Sequence, residues 1–195
     1  MLSHKKSLNI LKKTNALLEG HFVLSSGLHS TKYIQCAKLL SYPHIASKIC
    51  LELSKKIKRS FKKIDIILAP AMGGIVIGYE IGRLLKIETI FCERVNGKFK
   101  LRRGFYIPKK SNVLIIEDVI TTGKSSLECV KIIKKSKANL IGFASIIDRS
   151  TKQSLKIKSK IISHLKINVP TFKKNELPQD LKSTPITVPG SRFIK

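Results

Sequence analysis

The residues best suited to chemistry form one continuous run, VLIIEDVITTGKSS at positions 113–126. An apolar segment ends there in two adjacent carboxylates, Glu117 and Asp118, and continues into a loop of threonine, glycine and serine that opens a helix. Backbone N–H groups at a helix start, together with hydroxyl groups, can surround a phosphate dianion, and the helix dipole favours its charge. The run therefore predicts a phosphorylated ligand. The carboxylates would accept hydrogen bonds from ribose hydroxyls or lie near a magnesium ion.

Two other interpretations of this run were weighed. Gly123, Lys124 and Ser125 resemble the end of the nucleoside-triphosphate loop G-x-x-x-x-G-K-[ST], but that pattern requires a glycine where this chain has Asp118. A nucleoside-triphosphatase is therefore excluded on this motif. The alternative without a ligand is a threonine or serine N-cap that follows an acidic pair at the end of a strand.

The elements that must position this run alternate along the chain. Buried strands are predicted at residues 64–69, 88–93, 112–118 and 140–148, with helices at 74–85 and 124–137. Strand and helix in this order predict an α/β fold, a doubly wound parallel sheet with helices on both faces. Ligands bind at the carboxyl ends of the strands in such sheets, so the site is expected there.

The remaining segments are predicted to be smaller additions. A helix over residues 7–19 would stop at Gly20, and the pieces FVL and KYIQ would form a hairpin-like excursion. A helix would begin at Pro43 and end near residue 59. Residues 94–110 contain seven basic residues and two glycines and are expected to be an exposed, mobile loop. We predict one domain made of a hood (1–42), a core (43–168) and an extended tail (169–195).

Composition limits the class of protein. With 195 residues and 43% hydrophobic content, the chain can form one domain with a real core. The apolar runs are too short to span a bilayer and no signal peptide is apparent, which predicts a cytoplasmic location. The four scattered cysteines are expected to be reduced and buried.

The net charge of +26 could indicate a nucleic-acid partner. However, 31 of the 38 basic residues are lysines spread over nearly every segment, whereas nucleic-acid readers concentrate charge on one face and favour arginine. A solvated lysine surface that helps to attract anionic substrates is the favoured interpretation.

Residues 113–126 resemble the phosphoribosyl-diphosphate motif of type I phosphoribosyltransferases. Three further blocks are similar to orotate phosphoribosyltransferases in particular: GHFVLSSGLHSTKYIQCAKLL, APAMGGIVIGYEIGRLL and FCERVNGKFKLRRGF. The PGSR at residues 189–192 is similar as well. The resemblance touches most of residues 20–149. It implies the type I phosphoribosyltransferase fold, with a small N-terminal hood of helix and hairpin.

The resemblance also implies roles for individual residues. Residues 121–125 would hold the 5'-phosphate, Glu117 and Asp118 would lie at the ribose hydroxyls, and Thr121 and Arg149 would contact orotate. The implied catalytic residues are Lys98 and Asp118. The implied substrate-binding residues are Arg94, Glu117, Asp118, Val119, Ile120, Thr121, Thr122, Gly123, Lys124, Ser125 and Arg149. Taken alone, Arg149 is better interpreted as a surface ion pair at a strand end. Arg94 and Lys98 could equally be part of a solvated basic loop.

The chain departs from parts of the family at three positions. Gly73 stands in the turn resembling the pyrophosphate-binding turn, and Val95 follows the loop arginine, where some branches carry lysine. Lys100 lies near the place of a histidine found in some members. Arg102 and Arg103 could replace the missing charge.

The implied reaction transfers the phosphoribosyl group of 5-phosphoribosyl 1-diphosphate to orotate, in de novo pyrimidine biosynthesis. The implied cofactor is Mg²⁺, chelated by substrate oxygens, with no protein side chain expected as a metal ligand. The family implies a homodimer in which the basic loop covers the neighbouring subunit's site. Two alternatives remain at this point: a phosphoribosyl-diphosphate-binding regulator of nucleic acid, and a purine phosphoribosyltransferase.

Overall fold

A six-stranded sheet lies at the centre of the fold. The computed structural model describes residues 2–24, 26–151 and 157–187. The strands of this sheet are β3 (Ile66–Pro70), β4 (Glu88–Val95), β5 (Lys98–Leu101), β6 (Asn112–Ile120), β7 (Asn139–Asp148) and β8 (Ile161–Lys166), in the order β5-β4-β3-β6-β7-β8. All neighbours are parallel except β5, which is antiparallel to β4.

Helices cover both faces of this sheet, as predicted. The chain's helices are α1 (His4–Lys13), α2 (Cys36–Leu40), α3 (Pro43–Ser60), α4 (Gly73–Leu85), α5 (Lys124–Lys135) and α6 (Gln179–Lys182). Of these, α3 and α4 lie on one face of the sheet and α5 lies on the other. Successive strand residues point to opposite faces. Leu114 and Ile116 therefore join the core beneath α3 and α4, whereas Val113 and Ile115 join the core beneath α5. The doubly wound α/β fold is confirmed.

A second, smaller sheet combines the two ends of the chain. Its strands are β1 (Leu17–Val23), β2 (His29–Ile34), β9 (Thr171–Phe172) and β10 (Ile186–Thr187), in the order β10-β1-β2-β9. The tail is therefore not simply extended: besides two short strands it contains a 3-10 turn at Lys174–Glu176 and α6. Residues 189–192, with the family-like PGSR, lie outside the described residues.

The predicted N-terminal helix over residues 7–19 is wrong at both ends. The helix begins at His4, where Ser3 Oγ accepts a hydrogen bond from Lys6 N at 3.2 Å. It ends at Lys13 because Asn15 adopts a left-handed φ of 54°. Asn15 N and Ala16 N then donate to Lys12 O and Leu11 O, at 3.0 and 2.8 Å, which is a Schellman ending. Gly20 instead lies inside β1, at the shift of register between β1 and β2.

The basic segment at residues 94–110 is not a loop throughout. Its first half continues β4 to Val95, turns at Asn96 and Gly97, and returns as β5. Both turn residues have positive φ, 51° and 75°, as a two-residue hairpin requires. The Asn-Gly pair is the sequence signal for this hairpin, which was overlooked. We call residues 94–101 the basic hairpin.

Three further features complete the description. Strand β8 and helix α2 were not predicted. All four cysteines are buried free thiols. Within the described ranges, no helix is both long and apolar enough to cross a membrane.

Candidate active site

Glu117 lies buried near the carboxyl end of β6. Its side chain accepts a hydrogen bond from the hydroxyl of Ser126, in the first turn of α5. Burial raises the pKa of Glu117 to about 7; the Ser126 hydrogen bond opposes this rise, and the nearby Asp118 adds to it. Near neutral pH this carboxyl can therefore donate or accept a hydrogen bond, as ribose hydroxyls require. Ser126 was named from the sequence only as a phosphate-loop hydroxyl, and its role towards Glu117 was missed.

Asp118, the neighbouring carboxylate, faces the turn between β3 and α4. Its Oδ1 accepts a hydrogen bond from Val119 N at 2.9 Å. Burial raises the pKa of Asp118, and the backbone hydrogen bonds of Val119 and Asp118 itself oppose that rise. The two carboxyl groups thus place their oxygens close together, with Glu117 more deeply buried than Asp118.

The turn between β3 and α4 approaches β6 closely. An ideal Cβ on Gly73 would lie 2.8 Å from Asp118 Oδ1, and one on Gly74 would lie 2.9 Å from Ile116 O. Neither position accepts a side chain without movement of its neighbour. This close approach gives a physical reason for glycine at position 73, where some branches of the family carry lysine.

The loop from Thr121 to Gly123 leads directly into α5. Gly123 is the N-cap residue, has a φ of 73°, and carries no side chain to cap the helix. An ideal Cβ there would lie 2.5 Å from Ile157 Cδ1, so glycine is also required by packing. Thr121 and Thr122 are exposed beside this helix start. Lys124 N donates to Thr122 Oγ1 at 3.4 Å, within the loop itself. The helix start and the threonine hydroxyls form an arrangement that could accept an anion.

Arg149 follows β7 at the same edge of the sheet. Its backbone N donates to Ile120 O at 2.9 Å, which fixes it beside the end of β6. Burial lowers the pKa of its guanidinium, while Tyr33 of the hood strand β2 opposes that change. Among the described residues no carboxylate lies within 4.0 Å of this guanidinium, so the surface ion pair considered above is not formed there. Tyr33 lies in the block GHFVLSSGLHSTKYIQCAKLL, but its proximity to Arg149 was not predicted from the sequence.

The basic hairpin places its two predicted site residues differently. Lys98 is exposed and lines a groove of about 870 Å³ together with Thr122 and Lys124 of the phosphate loop. Arg94 instead contacts Glu128 of α5, with N–O distances of 2.8 and 3.2 Å. The structure therefore brings Lys98 to the edge of the phosphate loop, whereas the donors of Arg94 are taken by a carboxylate.

The two arginines suggested as replacements for the missing lysines are also paired. Arg103 and Arg102 lie 3.3 and 3.6 Å from Glu93 oxygens. Their charge is thus partly compensated within the hairpin region.

The carboxyl oxygens of Glu117 and Asp118 suit a magnesium ion that substrate oxygens also bind. Within the described ranges, no group of three or more histidine, cysteine, aspartate or glutamate side chains could hold a metal ion alone. Two adjacent carboxylates beside a phosphate cradle nevertheless match the preference of Mg²⁺ for oxygen ligands that include substrate phosphates and waters.

The fold, and the phosphate loop at the carboxyl edge of the sheet, define the class of protein as an α/β protein with a candidate phosphate site. Comparisons with known proteins refine that class. Residues 41–180 match the family described as the phosphoribosyl transferase domain. The chain is 44% identical to the orotate phosphoribosyltransferase of Caldicellulosiruptor saccharolyticus, over 96% of this chain and 97% of that protein. It is 41% identical to the orotate phosphoribosyltransferase of Erythrobacter litoralis, over 98% and 99% of the two chains.

Solved structures agree on the fold. The orotate phosphoribosyltransferase from Aeropyrum pernix has a TM-score of 0.70 and 22% identity, with 82% of this chain and 92% of that chain covered. An adenine phosphoribosyltransferase from Saccharomyces cerevisiae has a TM-score of 0.65 and 18% identity, with 81% and 99% covered. The chain therefore belongs to the phosphoribosyltransferase family and, within it, to the orotate phosphoribosyltransferases.

Proposed function

We propose that this enzyme transfers the phosphoribosyl group of 5-phosphoribosyl 1-diphosphate to orotate, forming orotidine 5'-monophosphate and diphosphate for pyrimidine biosynthesis. The observation that carries the proposal is the continuous edge from the Gly73 turn, through Asp118, to the uncapped start of α5. One edge thus offers places for a diphosphate, a ribose and a phosphate.

Each part of the substrate is assigned to residues of this edge. The 5'-phosphate binds N–H groups and hydroxyls of residues 121–125. The ribose hydroxyls bind Glu117 and Asp118, and the diphosphate lies along the turn at Gly73 and Gly74. Val119 and Ile120 complete the substrate-binding strand end.

Orotate is assigned to the space between β7 and the hood. A guanidinium can bind both oxygens of a carboxylate, which suits Arg149 to the carboxylate of orotate. The influence of Tyr33 on the Arg149 guanidinium supports a place for the base beneath the hood strand β2. Thr121, like Arg149, is assigned to orotate, as the family resemblance implies.

The chemistry requires positioning more than covalent catalysis. A ring nitrogen of orotate bonds to the anomeric carbon as the bond from that carbon to the diphosphate oxygen breaks, and the proton of that nitrogen is released to solvent. The transition state resembles an oxocarbenium ion, so carboxylates near the ribose and cations near the leaving group both lower the barrier. Lys98 and Arg94 supply cations from the basic hairpin. Magnesium, bound through substrate oxygens near Asp118, would neutralise part of the diphosphate charge.

A homodimer is the proposed assembly. Met72, Val76 and Tyr79 form an exposed apolar stripe that runs from the Gly73 turn along α4, with 81%, 52% and 68% of each residue accessible. Three large apolar residues at helical spacing favour coverage by another protein surface, and the family resemblance makes a second copy of this chain the proposed partner. The cytoplasmic location and the division into hood, core and tail stay predictions from the sequence.

One assay tests the proposed function directly. Orotate absorbance is followed after the protein is mixed with 5-phosphoribosyl 1-diphosphate and Mg²⁺, with adenine and hypoxanthine as parallel substrates. Loss of orotate absorbance with no purine nucleotide formed is expected. Purine nucleotide formation with orotate unchanged would contradict the assignment.

A further inference from the structure

We propose that Glu128 is a positioning residue that occupies Arg94 until the diphosphate of the substrate takes its place. The proposal rests on the proposed function, because it assigns Arg94 to the diphosphate. Glu128 would then set how easily the basic hairpin leaves its own subunit's α5 to bind substrate.

The geometry of the contact allows Glu128 to occupy the donors of Arg94 that a diphosphate would bind. Arg94 Nη1 lies 2.8 Å from Glu128 Oε2, and Arg94 Nη2 lies 3.2 Å from Glu128 Oε1. Both carboxylate oxygens thus face one edge of the guanidinium fork. Phosphate oxygens bind guanidinium through the same two-point arrangement, so a diphosphate and Glu128 compete for the same donors.

Further contacts hold Arg94 in this orientation. Arg94 Nη1 also donates to Gly97 O at 2.6 Å, and the guanidinium carbon lies 4.1 Å from the centre of the Phe99 ring. Both partners belong to the basic hairpin itself. The arginine is therefore supported by its own hairpin, and Glu128 adds an ion pair to the apolar packing of Phe99 and Leu101 against the cluster that includes α5.

The charges around the groove explain why a carboxylate is needed there. Glu128 is the one carboxylate among the described residues that line the groove; the charged remainder are Lys98, Lys124, Lys131 and Lys135. Without Glu128, the charged groups that line this groove would all be cations, as Arg94 is. Removal of the carboxylate should therefore loosen the hold of α5 on the hairpin, while the apolar packing of Phe99 remains.

The contact is also weak enough to be displaced. The side chains of Arg94 and Glu128 remain 42% and 24% exposed, so water and salt screen their attraction. Pairs of this kind shift an equilibrium by roughly two- to fivefold. A multiply charged diphosphate can overcome such a pair, whereas thermal motion alone opens it only part of the time.

The test compares wild type with Glu128→Gln, which keeps size and removes charge. Faster amide hydrogen exchange of residues 94–101 is expected in the free variant. Calorimetry with 5-phosphoribosyl 1-diphosphate and Mg²⁺ is expected to show about two- to fivefold tighter binding. Glu128→Asp, which retains the charge, should exchange more slowly than Glu128→Gln.

Glu19→Gln serves as the matched control, because it removes the carboxylate of another exposed ion pair, 2.8 Å from Lys12 in the hood. It should leave both the exchange of residues 94–101 and the binding of 5-phosphoribosyl 1-diphosphate unchanged. Melting temperatures confirm that each variant is folded.

Three outcomes would overturn the proposal. They are unchanged exchange in Glu128→Gln, faster exchange with equal or weaker substrate binding, and equal effects in the control. A wild-type protein that binds 5-phosphoribosyl 1-diphosphate but does not consume orotate would refute the proposed function instead. Exchange and calorimetry would still decide the role of Glu128, since neither depends on turnover.

Discussion

Gly73 lies so close to Asp118 that an ideal Cβ on Gly73 would be 2.8 Å from Asp118 Oδ1, and the carboxylate would have to shift to make room for it. Gly73 is the first residue of α4, and Asp118 lies near the end of β6, 45 positions further along the chain. Their proximity joins the proposed diphosphate turn to the proposed ribose site. Gly73 is exposed and Gly74 is buried, so the two glycines of the turn should respond differently to substitution.

Gly73→Ala is expected to lower kcat/KM by about 10- to 100-fold, because the new methyl group displaces the Asp118 carboxylate and small misplacements in a site are costly. The melting temperature should change little. Gly74→Ala is the contrasting variant, since its methyl group would meet backbone at Ile116 O and should lower the melting temperature as well. Steady-state kinetics and thermal unfolding measure both. Normal kinetics for folded Gly73→Ala would show that the approach has no catalytic role.

Glu117 should make stability depend on pH. Its folded pKa of about 7 lies above the ordinary 4.5, so the folded state binds a proton more tightly than the unfolded state. Protonated Glu117 therefore contributes up to about 3 kcal/mol to the free energy of unfolding. This contribution is fully present below pH 4.5 and is lost as the pH rises through 7. Urea unfolding of wild type and Glu117→Gln between pH 4.5 and 8 measures it. In Glu117→Gln the free energy of unfolding should not show this decline with pH. Wild-type and variant curves that run parallel would contradict the raised pKa of Glu117.

Arg149→Ala is expected to weaken orotate selectively. Loss of a charged two-point contact with a carboxylate costs on the order of 2 to 4 kcal/mol, or roughly thirtyfold to a thousandfold in kcat/KM for orotate. Lys166→Ala is the control, because it removes an exposed cation from the neighbouring strand end, 3.9 Å from Asp148. A rise in the KM for 5-phosphoribosyl 1-diphosphate with orotate unaffected would place Arg149 elsewhere in the site.

Lys98→Ala should lower turnover more than substrate binding, because its charge is needed most as the diphosphate departs. If the hairpin serves the neighbouring subunit, mixing Lys98→Ala with Asp118→Asn chains should restore activity. Each hybrid dimer would then carry one intact site, giving about a quarter of wild-type activity after random exchange at equal concentrations. Hybrids that form but stay inactive would show that Lys98 acts within its own subunit.

Local sequence was enough for the elements that carry the chemistry. The four long strands are runs of apolar residues, and β6 carries its acidic pair and phosphate loop in one continuous segment. Contiguous residues stay together however the chain folds, which is why this run by itself predicted a phosphate site with two carboxylates beside it. The roles of the individual residues 117–125 came from the family resemblance and stay predictions. The Asn-Gly turn of the basic hairpin and the left-handed ending of α1 at Asn15 were equally local signals, and their omission was an error of interpretation.

Contacts between distant residues were decided by the tertiary structure. The approach of Gly73 to Asp118, the pairing of Arg94 with Glu128 and the hydrogen bonds of β10 with β1 each join segments that sequence spacing does not relate. Exposed side chains such as Arg94 have no burial pattern to indicate their partner, and two-residue strands such as β10 are too short to show a periodicity. Such contacts depend on how the sheet orders its strands, because that order sets which strand ends and which helix lie within reach.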